Sequence, residues 1–424
     1  FNNKGGFYSG TQHIVLSVPE AGYTIRYTLD GSDPVSSSSV YGSEIVLSKT
    51  TVVKARAFAA GMVPGNIAAQ TYFINEHKFT IPIVSLSMND EFLWDNTIGI
   101  YTDGTNGITG NCQSVPKNWN QDWERFCHIE YYSADGTQLF NTGAGAKIAG
   151  ACSRGNANKS FGISFRDEYG ADNVRYPLFQ SKQADRFTSI MLRNSGNDCN
   201  RTMMHDAFMQ SLLIGEMDVD YQAYTPSAVY LNGEYWGVLN TREKINEGYL
   251  NTNYGLDEDS VDMLERNMEV IAGSASDYSA IVNFINTKDI SQAANYQYIK
   301  DRIDIGEYIN YQIAQIYSSN TDWPGNNIKY WKPVREGGKW RWILFDLDFG
   351  FGLYGSSASH NTLTFALETN GPGWPNPPWS TLLFRKLITN EEFRTQFIDR
   401  FTVYISSIYD PGRVGRILDS LKQN

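Results

Sequence analysis

The sequence predicts a small all-β domain followed by a larger α+β domain, and three observations carry that reading. Short alternating apolar runs, each closed by a turn signal, recur through residues 8–74 and then stop. From residue 128 strand-like runs are interleaved with two amphipathic helical stretches. A chain of 424 residues also exceeds what one ordinary core encloses.

In the first region the runs are 13–17 (HIVLS), 24–28 (TIRYT), 43–47 (SEIVL), 51–58 (TVVKARAF) and 70–73 (QTYF). Asp30-Gly31, Asp33-Pro34, Tyr41-Gly42, Ala60-Gly61 and Pro64-Gly65 punctuate them. That spacing predicts an immunoglobulin-like sandwich over residues 1–75. The polar stretch 75–78 (NEHK) precedes a new apolar run, 81–86 (IPIVSL), so the second domain is expected over 76–424.

Residues 100–125 are rich in Gly and Asn and read as a long surface loop. Strands are expected at 128–132, 146–149, 159–165 and 187–192, with the small-residue loop 150–158 (GACSRGNAN) between the second and third. A helix follows over about 202–214, with Met204, Phe208 and Leu212 on one face. Asn232-Gly233 between apolar runs predicts a hairpin over 227–239. A second helix occupies about 304–319, lined by Ile305, Ile309, Ile313 and Ile316. Two strands come next, 328–331 (IKYW) and 340–345 (WRWILF), and residues 379–424 read as mainly helical.

Composition excludes some functions. A net charge of −11 argues against non-specific nucleic-acid binding, which needs clustered Lys and Arg. No run of about 18 apolar residues is present, so no membrane span is expected. Four cysteines, Cys112, Cys127, Cys152 and Cys199, allow two disulfides, and none lies in a Cys-x-x-Cys pair. The first residue is Phe1 rather than Met, in keeping with a removed leader.

Phosphoryl transfer needs phosphate-binding groups, a divalent metal and a carboxylate that orients the attacking hydroxyl. Protein kinases supply them in a fixed order: small-residue loop, strand Lys, helix, hairpin, an Asp-x-x-x-x-Asn loop, then a strand ending in Asp-Phe-Gly. This sequence has that order. Asp322 and Asn327 have the required spacing in 320–327 (NTDWPGNN), directly after the second helix. The strand 340–345 delivers 346–352 (DLDFGFG), which contains Asp348-Phe349-Gly350. The second domain therefore reads as an atypical, bilobal protein-kinase-like α+β domain, with an N-lobe over about 80–240 and a C-lobe over about 241–424.

Two resemblances extend this reading. Residues 23–34 (YTIRYTLDGSDP) with 51–58 (TVVKARAF) resemble the C-terminal β-sandwich of chitobiases and hexosaminidases. The resemblance implies a module common in carbohydrate-active or surface proteins, a glycan as one expected partner, and an extracytoplasmic or cell-surface setting. Residues 82–86 (PIVSL), 93–95 (LWD), 99–101 (GIY), 159–165 (KSFGISF), 229–237 (VYLNGEYWG), Glu243, 320–327 and 346–350 (DLDFG) together resemble the CotH (spore coat protein H) kinase family. That resemblance covers roughly 80–410. It implies an atypical kinase that uses ATP and Mg²⁺ or Mn²⁺ to phosphorylate Ser/Thr on a protein substrate.

Carried over by position, Asp322 is the catalytic-loop residue that orients the acceptor hydroxyl. Asn327 is the expected metal ligand of that loop, with Asn326 next. Asp346 or Asp348 supplies the metal carboxylate: the literal Asp-Phe-Gly favours Asp348, the family's Asp-x-Asp pattern favours Asp346. Hard oxygen ligands of this kind suit Mg²⁺ or Mn²⁺. Lys159 is the first choice for the phosphate-contacting cation, with Arg154 and Arg193 as alternatives, and Glu243 is expected to line the nucleotide pocket near a hinge. The sequence also departs from the kinase pattern. There is no Gly-x-Gly-x-x-Gly, Asn320-Thr321 stands where His-Arg is usual, and Asp206 is the only acid inside the predicted helix. The alternative expectation is a catalytically inactive surface or secreted protein that binds a glycan or another protein.

Overall fold

The strand Thr51–Phe58 explains why the N-terminal sheet does not stand alone. Its first five residues are all buried, although a sheet with one wet face would alternate. Val53 and Ala55 pack into the sandwich core with Ile14, Ile45, Leu47, Tyr72 and Ile74. Lys54 points the other way, is 0 % exposed, and gives its ammonium to Asp33 Oδ1 at 2.8 Å and to the Ser87 carbonyl at 3.2 Å. Its neighbours in the sheet are Ala68–Ile74 and Thr24–Thr28, flanked by Gly6–Tyr8 and Ser39–Val40, and Gln12–Ile14 pairs with Ile45–Leu47 as a second, small sheet. The structure, a computed structural model, describes residues 1–354 and 359–423.

Next to the sandwich, seven strands close into a barrel: Ile83–Ser87, Arg125–Tyr132, Gln138–Ala149, Ser160–Ser164, Ser189–Arg193, Tyr224–Leu231 and Glu234–Glu243. Closure depends on Ile83–Ser87, which pairs antiparallel with Arg125–Tyr132 and parallel with Tyr224–Leu231. Asn232 and Gly233 turn the hairpin with φ of 50° and 84°, the left-handed geometry that makes Asn-Gly the favoured pair. The Asn232 side chain also bonds Met88 N and O. Where the sequence suggested an irregular loop over 100–125, a hairpin forms from Ile108–Gly110 and Gln113–Lys117, followed by a short 3₁₀ turn at Asn118–Asn120. Cys112, at the tip of that hairpin, is disulfide-bonded to Cys152, while Cys127 is buried in a barrel strand.

The chain forms two compact units: residues 1–194 with 224–242, and 195–223 with 243–424. These differ from the lobes expected at about 80–240 and 241–424. The reason is the helix His205–Ser211. Phe208 and Met209, with Leu212 and Leu213 just beyond it, are buried in the same core as Ile309, Ile313 and Trp342 of the second unit. The sandwich, in turn, belongs to the same compact unit as the barrel.

In the second unit a five-stranded sheet runs in the order Asp220–Tyr221, Arg341–Leu344, Lys329–Pro333, Val261–Glu265, Glu269–Ala272. The helix Ile305–Tyr317 packs on it and is buried nearly all round, as a helix at the centre of a lobe must be. Asp304 caps it by accepting from Glu307 N at 3.2 Å. C-terminal helices Leu382–Leu387, Glu391–Ser406 and Pro411–Lys422 match the helical expectation for 379–424. Among the described residues no helix is long and apolar enough to cross a membrane.

Candidate active site

The helix Ile305–Tyr317 positions the Asp322 loop through buried polar groups. Asn320 Nδ2 donates to Gln315 Oε1 at 2.9 Å, and Trp323 Nε1 and Gln315 Nε2 both donate to Tyr311 Oη at 3.2 Å. Asn320 Oδ1 then accepts from Asp322 N at 3.0 Å. The loop is thus pinned at its start, and its end is folded back on Asp322. Asn326 Nδ2 donates to Asp322 Oδ1 and Asn327 Nδ2 to Asp322 Oδ2, both at 2.9 Å. Asn327 adopts a left-handed φ of 49°, which Asn tolerates better than most residues.

Burial pushes the Asp322 carboxyl up to about 7; the charge of Asp346 adds to this, while the Asn326 and Asn327 hydrogen bonds oppose it. Asp346 therefore lies within electrostatic reach of Asp322. It is half-buried, with a φ of 55°. Asp348 is 0 % exposed, and its carboxylate accepts from Asn197 N at 2.8 Å and from Asn197 Nδ2 at 3.3 Å. The two aspartates that the sequence could not separate thus differ: one interacts with Asp322, the other is bound by the 195–204 segment.

Glu243 is 2 % exposed and also belongs to the second unit. Its Oε2 accepts from Ala223 N at 2.8 Å and its Oε1 from Asn253 Nδ2 at 2.7 Å. It sits where the chain re-enters this unit and ties that point to the place where the chain leaves it.

The expected cations lie in the first unit. Lys159 immediately precedes the strand Ser160–Ser164. Its ammonium donates to the carbonyls of Arg154 at 2.7 Å and Asn156 at 3.0 Å, and stands 4.6 Å from the Trp119 ring centre. Burial draws it down to about 8, with the charge of Asp103 opposing. Arg154 closes the same small-residue loop, donating to the carbonyls of Gly150 at 2.7 Å and Asn120 at 3.0 Å. Arg193 ends the strand Ser189–Arg193 and is half-buried.

Sequence reasoning missed Asn197, Tyr311 and Gln315 altogether, and saw Asp206 only as a helix acid in search of a strand cation. Asp206 instead accepts from Leu347 N at 2.8 Å. A buried Gln and Tyr on the 3.6-residue face that leads into the Asp322 loop were the available signal for the helix pair.

An all-β domain followed by an α+β kinase-like domain, with an Asp-Asn loop and an Asp-x-Asp segment in one compact unit, defines a kinase-like protein. The model of the CotH kinase protein family matches residues 146–424, well over half of the chain, and the chain belongs to that family. The chitobiase/beta-hexosaminidase C-terminal domain model matches residues 3–69. No curated protein matches the chain.

Proposed function

We propose that this protein transfers the γ-phosphoryl group of ATP to a Ser or Thr hydroxyl of a protein substrate, with Mg²⁺ or Mn²⁺ bound. The observation that carries the reading is Asp322: a buried carboxylate held by two carboxamides of its own loop and sensing the charge of Asp346. Among the described residues no group of three or more His, Cys, Asp or Glu is gathered as a metal site. The residues that would hold a metal are instead Asp346, through its carboxylate, and Asn327, through its Oδ1, hard oxygens that suit Mg²⁺ or Mn²⁺ alongside phosphate. Asn327 gives its Nδ2 to Asp322, so its carbonyl oxygen is the atom left for that role. When bound, the metal neutralises charge on the phosphates.

Asp322 orients the acceptor hydroxyl and takes up its proton as the new O–P bond forms. The bond from the γ-phosphorus to the bridging oxygen breaks and ADP leaves. The Asn326 and Asn327 amides fix the carboxylate so that it need not reorganise during transfer. Asp348 supports the segment through Asn197. The Cys112–Cys152 disulfide favours an extracytoplasmic setting. Thermal unfolding with ATP and Mn²⁺ tests the reading: the wild-type protein gains stability from the pair together, and Asp346→Ala does not. Equal gains in both proteins, or none in either, speak against it.

A specific observation also favours a second reading, a surface binding protein without transfer activity. A polar groove of about 690 Å³ runs along the sandwich strand Ala68–Ile74 and is lined by Arg56, Gln70, Phe126, His128, Asn141 and Tyr169. Amides and aromatic rings of this kind suit the hydroxyls and faces of a glycan. Binding to a glycan array that is lost in Tyr169→Ala, without any nucleotide effect, selects this reading over the first.

A further inference from the structure

Asp206 lies on the helix His205–Ser211 and is 4 % exposed. Its Oδ1 accepts from Leu347 N at 2.8 Å. Leu347 stands between Asp346 and Asp348, so this one amide belongs to the backbone that directs both carboxylates. Asp346 has a φ of 55°, which an L-residue keeps only where its surroundings hold it. On the far side, Asn197 N grips Asp348 Oδ2 at 2.8 Å. The next turn, Gly350, is packed so closely that an added Cβ would lie 2.6 Å from Met209 Sδ and from the Ser318 carbonyl.

The acceptor is itself braced. Gln210 Nε2, one helical turn on, donates to the same Asp206 Oδ1 at 2.8 Å. Gln210 Oε1 accepts from Gln222 N at 2.8 Å, and Gln222 Nε2 donates to the Glu243 carbonyl at 2.6 Å. Ala223 N closes the run on Glu243 Oε2 at 2.8 Å. Gln210, Gln222 and Glu243 are 2 %, 4 % and 2 % exposed, so water does not compete for these bonds. The run begins where the chain leaves and re-enters this unit, and it ends at the Asp346–Asp348 backbone.

We propose that Asp206, braced by Gln210 and Gln222, is a positioning residue that holds the Asp-Leu-Asp backbone and so aims Asp346. The proposal rests on reading Asp346 as the metal-side carboxylate. Asp206→Leu removes the acceptor, whereas Asp206→Asn keeps an oxygen in its place. In the full chain, amide exchange is followed at Leu347 together with the Mn²⁺ concentration needed for stabilisation by ATP.

Asp206→Leu is expected to speed Leu347 exchange about tenfold, the loss of one hydrogen bond to a charged acceptor. It raises the Mn²⁺ requirement in parallel and leaves exchange in the helix Ile305–Tyr317 unchanged, and Asp206→Asn restores both readouts. Gln210→Met leaves Asp206 in place and gives a smaller change in the same direction; it decides the matter if Asp206→Leu does not fold. Unchanged Leu347 exchange in the folded variants, or an Asp206→Asn protein no closer to wild type than Asp206→Leu, overturns the proposal. A wild-type chain that shows no ATP–Mn²⁺ stabilisation counts against the phosphotransfer reading, and the exchange measurement then decides the positioning role alone.

Discussion

Thr71 N donates a hydrogen bond to Glu130 Oε2 at 3.1 Å, joining a sandwich strand to a barrel strand. Glu130 is 1 % exposed. It also accepts from Thr71 Oγ1, the Tyr132 hydroxyl and, at 3.0 Å, Gln138 Nε2. Burial holds its carboxyl above the usual range despite these partners. With Lys54 bound to Asp33 and to the Ser87 carbonyl, buried polar groups attach the sandwich to the barrel alongside the apolar packing of Phe73 on Tyr132 and Tyr230.

Glu130→Ala leaves several buried donors without an acceptor. The expected cost is about 3 kcal/mol, and Tm should fall by about 10 °C. Sandwich and barrel peptides should also exchange their amides in one cooperative step. Two separate steps, or an unchanged Tm, contradict the fused unit.

His128 makes the same junction sensitive to acid. Its Nε2 faces the Ile67 carbonyl at 3.3 Å, and burial, with the charge of Lys54 adding, holds the imidazole down at about 4. Above the ordinary value of 6.5 it is neutral folded or unfolded. Between 6.5 and about 4 the unfolded chain binds a proton that the folded chain does not, so stability falls as pH falls through that window. The full loss is about 3 kcal/mol. Urea unfolding at several pH values should show a flatter profile for His128→Gln than for wild type; parallel profiles refute the assignment.

The Cys112–Cys152 disulfide closes a loop with a sequence separation of 40 residues. Constraint of the unfolded chain by such a loop is worth about 4 kcal/mol. The double substitution Cys112→Ser, Cys152→Ser should lower Tm by about 10 °C, and reductant should do the same to the wild-type protein but not to the variant.

Asp348 is expected to matter even without ligands. Asp348→Ala strips the acceptor from Asn197 N, at a cost of about 2 kcal/mol in the apo protein. Calorimetry of the apo variant reads this directly, and a Tm equal to that of wild type shows that Asn197 does not depend on it.

Local patterns made part of this fold readable. The isoleucines at 305, 309, 313 and 316 recur at helical spacing, and Asn232-Gly233 is a favoured pair for a two-residue hairpin loop. What could not be read is whatever long-range pairing decides. The barrel closes through Ile83–Ser87 lying parallel to Tyr224–Leu231, which no local signal announces. Residues 108–117 form a hairpin despite their Gly and Asn content, beside a disulfide whose pairing spacing alone does not fix. At the candidate site, the five-residue spacing of Asp322 and Asn327 was legible as a local loop pattern, and the two side chains do meet, Asn327 Nδ2 donating to Asp322 Oδ2 at 2.9 Å. Asn197 and Asp206 were not, since each acts on a backbone or carboxylate far along the chain. Lys159 stood out as a strand-opening cation, yet its ammonium bonds its own loop, a choice that tertiary packing makes.

The most direct test is transfer of the γ-phosphate of ATP, with Mn²⁺ or Mg²⁺, to a Ser/Thr-rich acceptor protein by the full chain. The phosphotransfer account predicts incorporation by the wild-type protein and a drop of at least about a hundredfold in both Asp322→Ala and Asp346→Ala. Incorporation that persists in Asp322→Ala, or none by the wild type with either metal, contradicts it.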